Sequence, residues 1–153
     1  MKSLLVLCTT VILLCLINCK RESGKAIVVT TSIDIAYNDS FGNDLLNEST
    51  QNYFSKNNIH VYTIINGVKT DVYNNMMDYP RDFLIYKNIE LNNYFIRFFL
   101  ESDTVLVQLN QNTTDTIIST VDKSNGNEIL RKLWYNGSLK WEFGVAPVIT
   151  ILK

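Results

Sequence analysis

The sequence predicts an all-β protein, an antiparallel β-sandwich spanning residues 26–153 as a single domain. Three observations carry this. Asn-Gly pairs at 66–67, 125–126 and 136–137 each separate two runs rich in β-branched and aromatic residues, the pattern of two-residue hairpins whose turn positions need positive φ. Roughly nine or ten such runs succeed one another, divided by polar, asparagine-rich breaks. No stretch beyond residue 26 carries an amphipathic helical period. Strands in this number and order close as a barrel or pack as a sandwich, and the sandwich, immunoglobulin-like or transthyretin-like, is the form expected.

The chain begins with a different kind of segment. Lys2 precedes an apolar run from Ser3 to Ile17, with no charge before Lys20. That is the layout of a secretory signal peptide, and the run is short for a spanning helix, which needs about 18 to 20 apolar residues. No Ala-x-Ala site for ordinary release stands near Asn18. The tetrad Leu16-Ile17-Asn18-Cys19 instead resembles a bacterial lipobox, with an aliphatic residue three places before the cysteine; Asn18 occupies the place where Gly, Ala or Ser is usual. The resemblance implies residues 1–18 as a lipoprotein signal peptide, lipidation of Cys19, and a tether over residues 19–25. Two or more acyl chains hold a protein stably at a membrane, each buried methylene contributing about 0.8 kcal/mol. Lys20, rather than Asp, follows the cysteine and points to the outer membrane.

The first strand is read over Ala26 to Tyr37, where Ile33, Ile35 and Tyr37 alternate with Asp34 and Ala36. Asn38 to Leu46 is turn-forming. Asp39, Asn43 and Asp44 lack the ligand spacing of a calcium loop, so they are expected to satisfy backbone groups. Residues 47–58 are polar and aperiodic, hence a loop. In the hairpin around Asn66-Gly67, Ile65 faces Val68, Thr63 faces Thr70 and Val61 faces Val72 on the core side. His60, Tyr62 and Tyr73 then point outward.

Tyr79-Pro80 interrupts the pattern before Phe83 to Tyr86. Tyr94 to Leu100 and Thr104 to Leu109 read as a hairpin joined by 101–103. The last two Asn-Gly turns predict registers that share the strand 128–135. Together they place Ile117, Val121, Leu130, Trp134, Leu139, Trp141 and Phe143 on one face, with Ser119 and Lys132 as exceptions. Tyr135 falls on the opposite, outward face, and Arg131 stands opposite Glu142. Val145 to Leu152, with Pro147, reads as an edge strand.

Composition narrows the functions. The full chain has 14 basic and 15 acidic residues; losing Lys2 with the leader leaves 13 against 15, so no basic field exists for nucleic acid. The leader carries Cys8 and Cys15, and Cys19 is committed to lipid, which leaves no cysteine for a disulfide or a metal cluster. His60 is the single histidine. A nucleophilic triad has no other base available, a zinc site lacks its usual ligands, and no glycine-rich phosphate loop is present. No cofactor is expected.

Taken with the leader, the first strand, Asp-Ser-Phe-Gly-Asn-Asp-Leu-Leu at 39–46, Ile-Asn-Gly at 65–67, and Leu-Trp-Tyr-Asn-Gly-x-Leu-x-Trp at 133–141, the chain resembles small uncharacterised lipoproteins of Bacteroidetes, in particular of flavobacteria. The resemblance covers most of the mature chain. It implies an envelope location and carries over no catalytic residue.

The function expected is that of a lipid-anchored, non-catalytic module at the cell envelope, with an envelope protein or a polysaccharide as partner. Tyr62, Tyr73, Tyr135 and His60 form its expected binding surface. A carbohydrate-binding module is the sharper alternative, because outward tyrosines stack on sugar rings. An inhibitor or accessory subunit is the other alternative. Paired carboxylates among Asp71, Asp78, Asp82, Glu101, Asp103 and Glu142 are the one enzymatic arrangement the residue types permit.

Overall fold

A computed structural model describes residues 26–153. The leader, the lipobox and Cys19 lie outside the described residues. Eleven strands follow in chain order: β1 (Val29–Thr30), β2 (Ser32–Asn38), β3 (His60–Ile65), β4 (Val68–Asp71), β5 (Phe83–Asn88), β6 (Asn93–Phe99), β7 (Thr104–Asn110), β8 (Thr113–Asp122), β9 (Glu128–Tyr135), β10 (Ser138–Glu142) and β11 (Val148–Leu152). They form two sheets packed face to face as an open sandwich. The larger has the order β1-β9-β8-β7-β3-β4 with β10 also on β9, and the smaller the order β11-β2-β6-β5. Among the described residues no helix is long and apolar enough to cross a membrane.

The sandwich is as expected, but two of its pairings are parallel: β1 with β9 and β11 with β2. Both arise because the chain changes sheets. The single strand expected over 26–37 is two, broken at Thr31, with β1 in the larger sheet and β2 in the smaller. The Thr31 carbonyl accepts the Leu100 N–H at 3.1 Å, which satisfies the backbone at the break. Between β10 and β11 the chain makes a second switch, and Pro147 O accepts from Asp34 N at 2.9 Å.

The hairpin expected from 94–100 and 104–109 is likewise a corner. β6 lies between β2 and β5 in the smaller sheet, while β7 lies between β3 and β8 in the larger. Backbone groups flanking the connection are claimed by other segments: Phe99 N–H by Asp82 O at 2.9 Å, and Asp103 O by Ser119 N–H at 2.8 Å. Leu100 sinks into the core between them.

Turn residues act as expected. Asn66, Asn125 and Asn136 have φ of 51°, 55° and 49°, each followed by a glycine at 78°, the left-handed pair that asparagine and glycine tolerate best. Asp39 Oδ1 accepts from the N–H groups of Phe41 and Asn43, both at 2.8 Å, and Asp44 Oδ1 from Leu46 N–H at 2.8 Å. This cluster closes its own loop.

The register of β3 and β4 matches the Asn66-Gly67 prediction, Thr63 facing Thr70 and Ile65 facing Val68. Its core assignment holds only at the base. Val61 is buried, but Ile65 and Val68 are exposed. β3 pairs with β7 only over His60–Thr63, so the hairpin tip overhangs its neighbour.

The registers of β8, β9 and β10 match the turns only close to them. Val121 faces Leu130, but Thr120 faces Lys132, leaving Arg131 as an extra residue. Leu139 faces Trp134, but Trp141 faces Leu133, leaving Lys140 as another. Each bulge reverses the side on which the following residues point. Leu133 and Tyr135 therefore turn inward, and Lys132 turns outward to pair with Glu142 at 2.9 Å, in place of the Arg131–Glu142 pairing expected. Arg131 binds Asp122 at 2.7 Å instead.

The core joins Ile33, Ile35 and Tyr37 of β2, Ile96 and Phe98 of β6, and Ile149 and Ile151 of β11 to Val105, Val107, Ile117, Leu130, Leu133 and Tyr135 of the larger sheet. Two polar groups brace it. Tyr135 donates to the Tyr37 hydroxyl at 3.1 Å within the core. On the outer face of the smaller sheet, Asp34 receives two bonds from Arg97, at 2.7 and 2.8 Å, and one from the Tyr86 hydroxyl at 2.8 Å.

Candidate functional site

Sequence alternation along β3 puts His60 and Tyr62 on its outer side, and the hairpin register brings Asp71 and Lys69 beside them. The loop between β4 and β5 folds back so that Arg81 completes the group. Arg81 donates to His60 Nδ1 at 2.9 Å and to both oxygens of Asp71 at 3.1 and 3.2 Å. His60 Nδ1 is also 3.6 Å from Asp71. The Arg81 guanidinium lies 5.1 Å from the centre of the Tyr73 ring, within reach of cation–π attraction.

Two of the residues expected here, His60 and Tyr73, thus meet around one arginine, and Tyr62 lies beside His60. They do not play equal parts. The Tyr62 hydroxyl donates to Gln108 at 3.0 Å, its ring lies near that of His60, and the Lys69 ammonium sits 3.8 Å from the ring centre. Tyr62 is engaged within the protein. Tyr73 is 61% exposed and open.

Tyr135 does not belong to this surface. The outward position expected for it is corrected by the bulge at Arg131: the residue is 3% exposed, hydrogen-bonded to Tyr37, and its phenol is pushed far above the usual tyrosine range by burial and by the neighbouring Tyr37 and Asp115. Trp134, expected in the core, is the residue the same bulge turns away, while Trp141 is buried as expected.

Beside Tyr73 opens a cleft of about 340 Å³ whose rim is built by Lys56, Asn57, Asp78, Tyr79 and Arg81, with Phe83 at its base. Tyr79 is 40% exposed and stacks on Phe99, ring centres 5.0 Å apart. That contact fixes its orientation. Two aromatic rings, two cations, a carboxylate and an amide converge on a space of ligand size. From the sequence Asp78 is a candidate only as a catalytic carboxylate, and Tyr79 and Arg81 have no signal there beyond a proline-marked turn, because the loop carrying them is aperiodic and only the tertiary fold brings it against β3.

A second opening, about 290 Å³, lies on the inner side of the same hairpin, with Thr63, Thr70, Asp82 and Glu101 among its lining. The Asp82 carboxyl is raised above the usual range by burial and then by the charge of Glu101. Of the carboxylates considered as catalytic partners, this is the pair brought into electrostatic contact; Asp71 is bound to Arg81 and Glu142 to Lys132. Among the described residues no three His, Cys, Asp or Glu side chains gather as metal ligands.

Comparison of the chain with family profiles, with characterised proteins and with solved structures yields no match. The site therefore has to be argued from its own geometry. Its position is informative: β4 and β1 form opposite edges of the larger sheet, five interstrand spacings of about 4.8 Å apart. β1 is the first strand of the described residues. The cleft lies at the edge away from it.

Proposed function

We propose that the protein is a lipid-anchored, non-catalytic binding module of the bacterial cell envelope, whose cleft between Tyr73 and Tyr79 takes an extracellular polysaccharide. The lipobox-like Leu16 to Cys19 supports the anchor, and Lys20 supports placement at the outer membrane. The observation that carries the ligand class is the pairing of two exposed tyrosine rings with Arg81, Asp78, Asn57 and Lys56 around one cleft. Sugar rings offer apolar faces to aromatic side chains and hydroxyls to charged and amide groups. Such a site needs both kinds of contact, and this cleft has both.

A glycan array probed with the purified protein tests the reading. Saturable binding to a polysaccharide class, weakened about tenfold in Tyr73→Ala and also reduced in Arg81→Ala, is the expected result. Turnover of a bound polysaccharide that disappears in Asp82→Asn or Glu101→Gln would replace the module with an enzyme.

A protein partner is the second reading, supported by one feature. All four residues of β4 are exposed and the strand is an edge, so it offers unpaired backbone groups to a partner strand. Affinity capture from the native envelope separates the two: a protein retained by the native chain and lost in Val68→Asp, with no glycan bound, would favour the partner.

A further inference from the structure

Two of the places where the chain changes sheets, between β1 and β2 and between β10 and β11, lie side by side, and between them the sandwich is open. β1 and β10 stay with the larger sheet while β2 and β11 leave for the smaller, and the gap is a groove of about 590 Å³. Val29, Phe99, Leu130, Trp141, Phe143 and Val145 supply its walls, and none of the lining residues is charged. Phe143 and Val145 are 55% and 67% exposed. The groove is thus a real apolar recess open to solvent, which a protein this size does not leave uncovered without cost.

We infer that this groove shelters an acyl chain carried by Cys19 of the same molecule. The inference rests on the lipid anchor proposed above. The chemistry of the walls favours an acyl chain over a peptide. The only polar atom of the Trp141 side chain is already spent on Ala146 O at 2.9 Å, and apart from Thr30, Thr31 and Ser32 the lining side chains offer no hydrogen bond. A peptide would bring backbone groups that need partners; a hydrocarbon chain brings none.

Position favours the molecule's own lipid. Val29, which lines the groove, is ten residues beyond Cys19, and an extended chain covers about 3.3 to 3.6 Å per residue. The tether therefore reaches the groove with length to spare. The volume falls within the range of about 300 to 1,000 Å³ typical of sites that bury small apolar ligands. An acyl chain held here is withdrawn from water while the lipoprotein is between membranes, and is released into the bilayer on arrival.

The test uses the full chain expressed in cells fed a fatty acid carrying a terminal diazirine, followed by irradiation and peptide mapping. Incorporation of the probe at Cys19 and cross-links from it to the 141–147 segment or to β1 are expected. In Val145→Asp, a change at an exposed position, the groove cross-links fall to background while incorporation stays at the native level and the melting temperature is retained. Cross-links confined to bulk lipid or to another polypeptide, or cross-links to the groove that persist in Val145→Asp, overturn the inference and leave the anchor standing. A chain that takes up no probe at Cys19 overturns the anchor and the inference together.

Discussion

Arg81 donates its hydrogen bond to Nδ1 of His60 across 2.9 Å. An arginine only donates, so Nδ1 must accept and the imidazole carries its proton on Nε2. Nitrogen-15 correlation spectra in mildly alkaline buffer should show the Nε2–H tautomer, and Arg81→Ala should abolish that preference. Because the same guanidinium reaches Asp71 and the Tyr73 ring, the variant should also weaken ligand binding. A native spectrum dominated by Nδ1–H would contradict the arrangement.

Tyr73 and Tyr135 should respond oppositely to the same substitution. Tyr73→Ala removes an exposed ring and should leave stability within about 0.5 kcal/mol, while lowering ligand affinity about tenfold. Tyr135→Ala opens the core and should cost about 3 to 5 kcal/mol. Tyr135→Phe keeps the volume but strips the Tyr37 hydroxyl of its donor, costing about 1 to 3 kcal/mol. Urea denaturation of the three variants measures the contrast.

Asp115 should confer acid sensitivity. Burial pushes its carboxyl up, but hydrogen bonds from Lys153 and from Asn136, the latter at 2.7 Å, more than reverse this and hold it below the usual range. A carboxyl lowered on folding binds its proton more weakly in the folded than in the unfolded chain. Its contribution is therefore fully present above the ordinary aspartate range, near about pH 4, and is lost as pH falls through the folded value. Denaturant midpoints of the native chain and of Asp115→Asn should differ near neutrality and converge in acid. A gap that widens in acid would reverse the sign.

The Arg97 fork on Asp34 predicts an asymmetric pair of variants. Arg97→Ala leaves a buried carboxylate with only the Tyr86 hydroxyl and should cost about 2 to 3 kcal/mol; a fully buried pair costs more when broken, about 3 to 5, but Arg97 is 40% exposed and partly screened. The double variant Asp34→Val with Arg97→Ala should recover part of the loss. Thermal melts at a fixed pH decide this.

Much of the fold was legible because its turns are written in residues with a narrow range of backbone conformations. Asn-Gly fixed three chain reversals and the register of β3 on β4 to the residue. What escaped depends on distant contacts. The bulges at Arg131 and Lys140 have no glycine or proline to mark them, and they decide which faces Tyr135, Trp134 and Lys132 occupy. The corner at 100–103 looks locally like a hairpin; only the backbone bonds to Asp82 and Ser119 make it a crossing. The same limit governs the site: alternation placed His60 and Tyr62 outward, whereas Tyr79 and Arg81 reach them through a loop with no periodicity.

The pairing of β11 with β2 brings Ile149 beside Ile35, 114 positions earlier in the chain. Closing a loop of that length costs about 4 kcal/mol of chain entropy before either strand is rewarded. The pairing of Val29 with Glu128 imposes a similar demand. Such topology places the molecule among slow folders, on the scale of about milliseconds to seconds. Until β11 docks, β2 is an open edge and the smaller sheet is incomplete, so the nascent chain persists in a loosely paired, threadable form. The export route proposed above would gain from that delay.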